Sequence, residues 1–217
     1  MIAALVPAKA LDEAKGRLAA LLREDERRSL ALVMLEDVIR ALLGARNVER
    51  VYTISPDQAI LRDAERLGAE AIAQPPSLSG LNEALKHGAR VISLEAPSAL
   101  LVLLADVPAT SSVDIETLVE ALPATAGVVI SPSRADGTSA LALRPPDVID
   151  FRFGPDSRAA HEREAESRGV PVRVVRLEPL LHDVDEPEDL RYLISHAAET
   201  ATHRLLAELR VAERLEA

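Results

Sequence analysis

The sequence predicts an α/β fold, Rossmann-like, in which a mostly parallel sheet carries helices on both faces. Three observations lead there. Short apolar runs alternate with helical patterns along the chain, the order that parallel strands joined by crossover helices require. The run Ala99–Asp106 (ALLVLLAD) is apolar on both faces until its last residue, as a strand in the middle of such a sheet must be. A chain of 217 residues with 48% apolar composition has enough material for one sizeable core.

The candidate strands are Ile2–Val6, Val48–Ile54, Glu70–Ala73, Ala99–Ala105, Gly127–Ser131, Ala140–Arg144 and Val172–Leu177. Between them lie helices with readable ends. Asp25–Leu43 repeats apolar residues at Leu32, Leu35, Val38, Ile39 and Leu42 and stops at Gly44. Ser55-Pro56 stands in the N-cap and first-turn positions of the next helix, which Gly68 closes. Ser111 with Asp114 forms a capping box before Ile115–Leu122, and Ser157–Arg168 is a helix closed by Gly169. The stretch from Gly127 to Leu177 is richer in strand than in helix, so a mixed sheet edge or a small β-rich insertion is expected there. After Asp183 the chain turns helical and stays so, with Leu190, Leu193, Ile194, Leu205, Leu206 and Leu209 as its apolar positions.

Composition excludes several functions. Two Phe, two Tyr and no Trp leave no stacking platform for single-stranded nucleic acid. A formal charge of −10 argues against DNA or RNA as partner, although local charge can still favour a small anion. The absence of cysteine excludes disulfides, thiolate metal sites and cysteine nucleophiles. No run of about 18 apolar residues indicates a membrane span, and MIAALV has no basic n-region before it, so a cytoplasmic globular protein is expected.

In a parallel sheet, ligands bind beyond the carboxyl ends of the strands, so unusual residues in those loops are the place to look. The first loop, Val6–Leu18 (VPAKALDEAKGRL), follows Pro7 with Lys9, Lys15 and Arg17 in an otherwise acidic protein. Backbone amides after a first strand, with cations beside them, suit phosphates. The loop lacks the spacing of a Walker P-loop. The second, Leu103–Thr110, places Asp106 directly after the most apolar strand, where a carboxylate either holds a hard cation such as magnesium or caps a turn. The third, His182–Leu190 (HDVDEPEDL), carries Asp183 and Asp185 one residue apart. Glu188 and Asp189 decorate a helix N-terminus, whereas Asp183 precedes the helix and is not explained that way. The fourth is a pair of small-residue turns, Asp136–Leu141 (DGTSAL) and Phe153–Ser157 (FGPDS), where glycines stand near hydroxyls that suit phosphate or carboxylate oxygens. In SLSGLNEAL (Ser77–Leu85), Gly80 and Asn82 open another helix, and Asn82 is placed to bond a base or ribose, or to cap. The histidines form no metal motif, and no nucleophile-elbow pattern is present. An ionised substrate phosphate is itself nucleophilic, so cations need only align it and neutralise charge.

Together these strings resemble the 2-phospho-L-lactate guanylyltransferase family, also called phosphoenolpyruvate guanylyltransferases, of coenzyme F-420 biosynthesis. VPAKALDEAKGRL resembles the family's phosphate loop, SGLNEAL its nucleotide-binding helix start and LLADVP its metal-binding strand end. DGTSALALRPP and FGPDSRAAH resemble its acid-binding segments, and HDVDEPEDL its final acidic motif. The resemblance extends to about Leu193. It implies a nucleotide-diphospho-sugar-transferase-like (GT-A type) fold and magnesium-dependent transfer of GMP from GTP to a small phosphorylated acid. By position, it implies nucleotide binding by Pro7, Lys9, Lys15, Arg17, Gly80 and Asn82, and acid binding by Thr138, Ser139, Gly154 and Ser157. It further implies Mg2+ at Asp106 with Asp183, Asp185 or both, and catalytic roles for Lys15, Asp106 and Asp185. Gly16 stands where the family usually has serine.

The alternatives are a nucleotidyltransferase of the same fold with a sugar phosphate or molybdopterin acceptor, and a catalytically silent nucleotide-binding scaffold. Residues 1–195 form the expected nucleotidyltransferase domain and 196–217 a C-terminal helical extension. A single helix from roughly Glu188 to Glu213 is too long for a compact domain of this size, which predicts a homodimer.

Overall fold

In the computed structural model, which describes residues 1–216, the chain folds around one seven-stranded sheet. The strands are β1 (Ile2–Pro7), β2 (Arg50–Ser55), β3 (Glu70–Ala73), β4 (Ala99–Leu103), β5 (Gly127–Pro132), β6 (Thr138–Arg144) and β7 (Val172–Val174). Their order is β3-β2-β1-β4-β6-β5-β7. β1 pairs in parallel with β2 and β4, β2 with β3, and β5 with β7. β6 runs the other way, antiparallel to β4 and to β5. The strand-rich stretch is therefore a mixed edge of the main sheet and not a separate insertion.

The reversal of β6 has a consequence for function. It brings Thr138, the first residue of the strand, to the edge where β1 and β4 end. Leu103 of β4 pairs with Ala140, and the Leu104 N–H donates to the Ser139 carbonyl at 3.0 Å.

Five helices cover the sheet: α1 (Glu24–Gly44), α2 (Gln58–Leu67), α3 (Leu81–Ser93), α4 (Ser112–Glu120) and α5 (Ser157–Ser167). Successive strand residues face opposite layers. Ala4, Val6, Leu101 and Leu103 pack under α1, α2 and α4, while Ala3, Leu5, Leu100 and Val102 pack under α3 and α5. With both faces covered, the middle strands must be apolar throughout. Each fully buried leucine contributes roughly 1.5–3 kcal/mol.

The capping box at Ser111 and Asp114 forms as the sequence predicts: each side chain accepts the other's backbone N–H, at 3.3 and 2.9 Å. The start of α2 differs. Ser55 ends β2, and Asp57 is the cap, accepting from the Ala59 N–H at 2.8 Å. A carboxylate two residues on takes the role because it also accepts from the Leu11 N–H at 3.1 Å, fastening the first loop to α2.

The C-terminal segment corrects the sequence reading most clearly. After the short α6 (Glu178–Leu181), the expected single helix is three: α7 (Asp189–His196), α8 (Ala201–Glu208) and α9 (Val211–Arg214). Thr200 caps α8 by accepting from the His203 N–H, and Arg210, at φ 51°, turns the chain into α9. The pieces fold back onto the chain's own α1. Asp37 accepts from the Ala201 and Thr202 amides, both at 2.8 Å, and from the Thr202 hydroxyl at 2.6 Å. Arg214 clasps Glu26 at 2.8 and 2.9 Å. Leu190, Leu193, Leu206 and Val211 pack with Leu18, Leu22, Leu30 and Met34 in a third apolar cluster. The apolar positions that argued for a homodimer are thus satisfied within one chain, and that argument loses its premise. Among the described residues, no helix is long and apolar enough to cross a membrane.

Candidate active site

A cavity of about 830 Å³ opens at the carboxyl ends of β1, β2 and β4, where the strand order reverses direction about β1. Pro7, Lys9, Lys15 and Arg17 from the first loop line it, with Gly80 at the start of α3 and both Asp106 and Asp185. These are seven of the residues the sequence singles out. Gly80 has φ 83°, and a Cβ built there meets nothing, so the requirement is backbone shape at the mouth of α3 and not a close neighbour. Gln74, Ser79 and Leu78 also line the cavity and were not legible as site residues.

The charges converge on Lys15. This residue adopts a left-handed conformation, φ 51°, that sends its ammonium inward, and its side chain is 11% exposed. Nζ donates to the Val184 carbonyl and lies 3.5 Å from Asp106 Oδ2 and 3.8 Å from Asp185 Oδ1. Arg17, 69% exposed, reaches Asp185 at 3.6 Å and Glu186 at 3.7 Å. The Val184 N–H donates to the Asp106 carbonyl at 2.9 Å, which joins the loop after β4 to the final acidic motif.

The acids divide into two kinds. Asp185 faces the cations. Asp183 stands outside the cavity wall and feels Asp106: its carboxyl is pushed up to about 6, by burial first and then by the negative charge of Asp106, with smaller contributions from Asp185 and Asp189. Asp106 Oδ1 is buried and has no hydrogen-bond partner in the chain. An orphaned carboxylate oxygen beside a second carboxylate is a donor set that a hard divalent cation would satisfy. Among the described residues, no three His, Cys, Asp or Glu side chains converge to hold a metal unaided. The pair fits a magnesium ion, which commonly takes one or two carboxylates and completes its shell with water and substrate phosphates. His182, next to Asp183, belongs to the frame: Arg134 and Glu178 bond its two nitrogens, and its ring stacks on Tyr192 with centroids 3.5 Å apart.

The candidate acid-binding residues gather elsewhere, one strand further along the sheet. Thr138, Ser139 and Ser157 are buried and stand outside the cavity wall, while Gly154, at φ 136°, lies exposed in the turn before α5. Ser157 Oγ is 3.1 Å from Thr138 Oγ1, which is 3.1 Å from His161 Nδ1. Ser139 Oγ is buried without a partner. A Cβ built on Gly137 would stand 2.8 Å from Ser133 Oγ and 3.8 Å from Ser157 Oγ, so glycine keeps this niche of hydroxyls clear. Ser133 and His161 were not singled out in the sequence. The signal for His161 was its spacing: it follows Ser157 by four residues, one helical turn.

Asn82 is bonded to a distant turn and not to the start of its own helix. Its Nδ2 donates to the Phe153 carbonyl and its Oδ1 accepts from the Phe153 N–H, both at 2.9 Å. Both halves of the amide bond Phe153, so it does not cap its own helix, and Nδ2 keeps a second N–H for a further partner. It ties the first turn of α3 to the FGPDS turn.

A family model described as "Guanylyl transferase CofC like" matches residues 2–216. A protein of Sphaerobacter thermophilus named phosphoenolpyruvate guanylyltransferase is 46% identical, over 89% of this chain and 93% of its own. A 2-phospho-L-lactate guanylyltransferase of Methanothermobacter thermautotrophicus is 35% identical, over 95% and 90%. Among solved structures, a putative nucleotide-diphospho-sugar transferase from Desulfovibrio desulfuricans superposes with a TM-score of 0.80 at 19% identity, covering 99% of this chain and 96% of that one. That likeness establishes a nucleotide-diphospho-sugar-transferase-like fold.

Proposed function

The chain belongs to the CofC-like guanylyl transferase family, and from that premise we propose that it transfers GMP from GTP to a small phosphorylated acid, releasing pyrophosphate, as a cytoplasmic step of coenzyme F-420 biosynthesis. Phosphoenolpyruvate is the first acceptor to test, since the relative at 46% identity is named for it. 2-Phospho-L-lactate and 3-phosphoglycerate are its competitors.

The observation that carries this reading is the buried, unpartnered Asp106 oxygen in the wall of the cavity, with Lys15 adjoining and the charge of Asp183 close enough to be felt. GTP occupies the cavity, with its phosphates against Lys9, Lys15 and Arg17 and the first turn of α3 at Gly80. Asp106 and Asp183 would hold Mg2+, and Asp185 sets the positions of Lys15 and Arg17. When bound, the ion supplies charge neutralisation for the triphosphate and for the departing pyrophosphate. The acid lies on the other side of Asp106, oriented by Thr138, Ser139, Gly154 and Ser157. One of its phosphate oxygens attacks the α-phosphorus of GTP, and the bond from that phosphorus to the bridging oxygen of pyrophosphate breaks. The chain supplies alignment and positive charge and needs no nucleophile of its own.

Incubation with each nucleoside triphosphate and each acid in turn, read by mass spectrometry, tests this. The expected product is the acid joined to GMP, formed from GTP with stoichiometric pyrophosphate. Intact GTP with every acid in the presence of Mg2+ would overturn the reading.

A further inference from the structure

One buried titratable group in the acid cluster has no part in the reaction as described. His161 on α5 is 0% exposed, and both of its ring nitrogens are engaged. Nε2 lies 2.9 Å from the backbone nitrogen of Arg152, a group that only donates. Nε2 must therefore accept, and a neutral ring then carries its proton on Nδ1. Burial keeps the ring neutral, bringing its pKa down to about 4.

The tautomer decides what the two hydroxyls can offer. With its proton on Nδ1, the ring cannot accept from Thr138 Oγ1 and can only donate, to that hydroxyl or to the Ser157 carbonyl one turn back. Thr138 and Ser157 then share two hydroxyl protons across their 3.1 Å contact. One lies between the oxygens, and the other is free to point at a ligand. In the opposite tautomer Nδ1 would accept a hydrogen bond from the Thr138 hydroxyl, and the Ser157 hydroxyl would donate to Thr138, leaving neither proton for a ligand. A carboxylate or phosphate oxygen only accepts, so a site for it must present donors.

We propose that His161 is a positioning residue of the acid subsite, whose tautomer, fixed by the Arg152 amide, leaves the Thr138–Ser157 pair one proton to donate to an anionic oxygen of the acid. This rests on the assignment of Thr138 and Ser157 to the acid. The surrounding contacts support it. Asn82 grips the Phe153 backbone, the residue after Arg152, from the opposite side. The Phe153 ring meets the His161 ring edge-on, with centroids 4.9 Å apart. The amide that sets the tautomer is held in place by two elements.

Two measurements test it. In wild-type protein with 15N-labelled histidine, the His161 resonances, assigned by their loss in a variant, should report a neutral ring protonated on Nδ1. Protonation on Nε2 alone would overturn the proposal. In kinetics, His161→Phe keeps a ring and removes both nitrogens. Its Michaelis constant for the acid should rise about tenfold while that for GTP stays put. His161→Asn, whose amide N–H can stand in for Nδ1, should recover most of the loss. A purely structural role would lower Tm or the active fraction without raising the acid constant. If His161→Phe does not fold, the tautomer measurement and His161→Asn decide. Ser157→Ala separates the two levels. An unchanged acid constant there removes the acid assignment and His161 with it, whereas a raised one beside a folded, unaffected His161→Phe removes the His161 role alone.

Discussion

The two sides of Asp106 are built differently. On the β1 side, charged groups stand in an open cavity, and their ion pairs are long, 3.5–3.8 Å for Lys15 and Arg17 with their acids. On the β6 side, neutral hydroxyls and one imidazole are buried and joined at 2.9–3.1 Å. Under the proposed assignment of ligands, the difference has a physical reason. A triphosphate brings several charges and a metal, and loosely held cations can exchange a carboxylate for a phosphate at little cost. A small acid gains more from fixed donors that need no rearrangement, because ordering them at the moment of binding would consume affinity.

The largest expected effect lies on the boundary. Asp106→Asn keeps the shape and removes one charge, so turnover should fall at least about a hundredfold. Its Tm should stay near wild type, or rise slightly without metal as the repulsion with Asp183 is relieved. Normal turnover by the folded variant would mean that the metal binds elsewhere. Next comes the β6 side. Ser157→Ala removes a hydrogen bond to a charged group, worth about 1.5–3 kcal/mol, and should raise the acid Michaelis constant about tenfold or more with GTP unaffected. Equal losses for both substrates would erase the distinction between the sides.

The smallest catalytic effect is expected outside both. Glu26 is held down to about 2, chiefly by its hydrogen bonds from Arg214 and then from the Arg23 amide. A depressed carboxyl stabilises the fold fully above its ordinary value of 4.5 and loses that contribution as pH falls toward about 2. Arg214→Ala should lower stability at pH 7, by less than a fully buried pair would because Arg214 is partly exposed. The gap from wild type should narrow in denaturant melts as pH drops below 4.5, with both Michaelis constants unchanged. A gap that stays constant with pH would show that the pair is not its source.

How much was legible follows the same division. All seven strands could be read, the central ones because residues such as Leu100 to Leu103 are buried alternately on two covered faces and had to be apolar. The β1-side residues could be read because lysines and aspartates at strand ends are conspicuous in an apolar context. Asn82 and the C-terminal breaks could not. Asn82 bonds Phe153, 71 residues away, and local sequence carries no sign of it. The chain turns at Arg210 without a glycine, and α8 begins at an unremarkable threonine whose docking partner, Asp37, lies far back in α1. That Asp185 and not Asp183 stands against Lys15 was equally hidden, since it depends on where Lys15 points.

That a divalent cation sits between Asp106 and Asp183, joining the two sides, is tested most directly by manganese binding rather than by activity. Electron paramagnetic resonance should show Mn2+ taken up by wild-type protein with a non-hydrolysable GTP analogue, and released from Asp106→Asn and Asp183→Asn under the same conditions. Asp185→Asn should retain the ion. Uptake by the Asp106 and Asp183 variants equal to wild type would contradict the site.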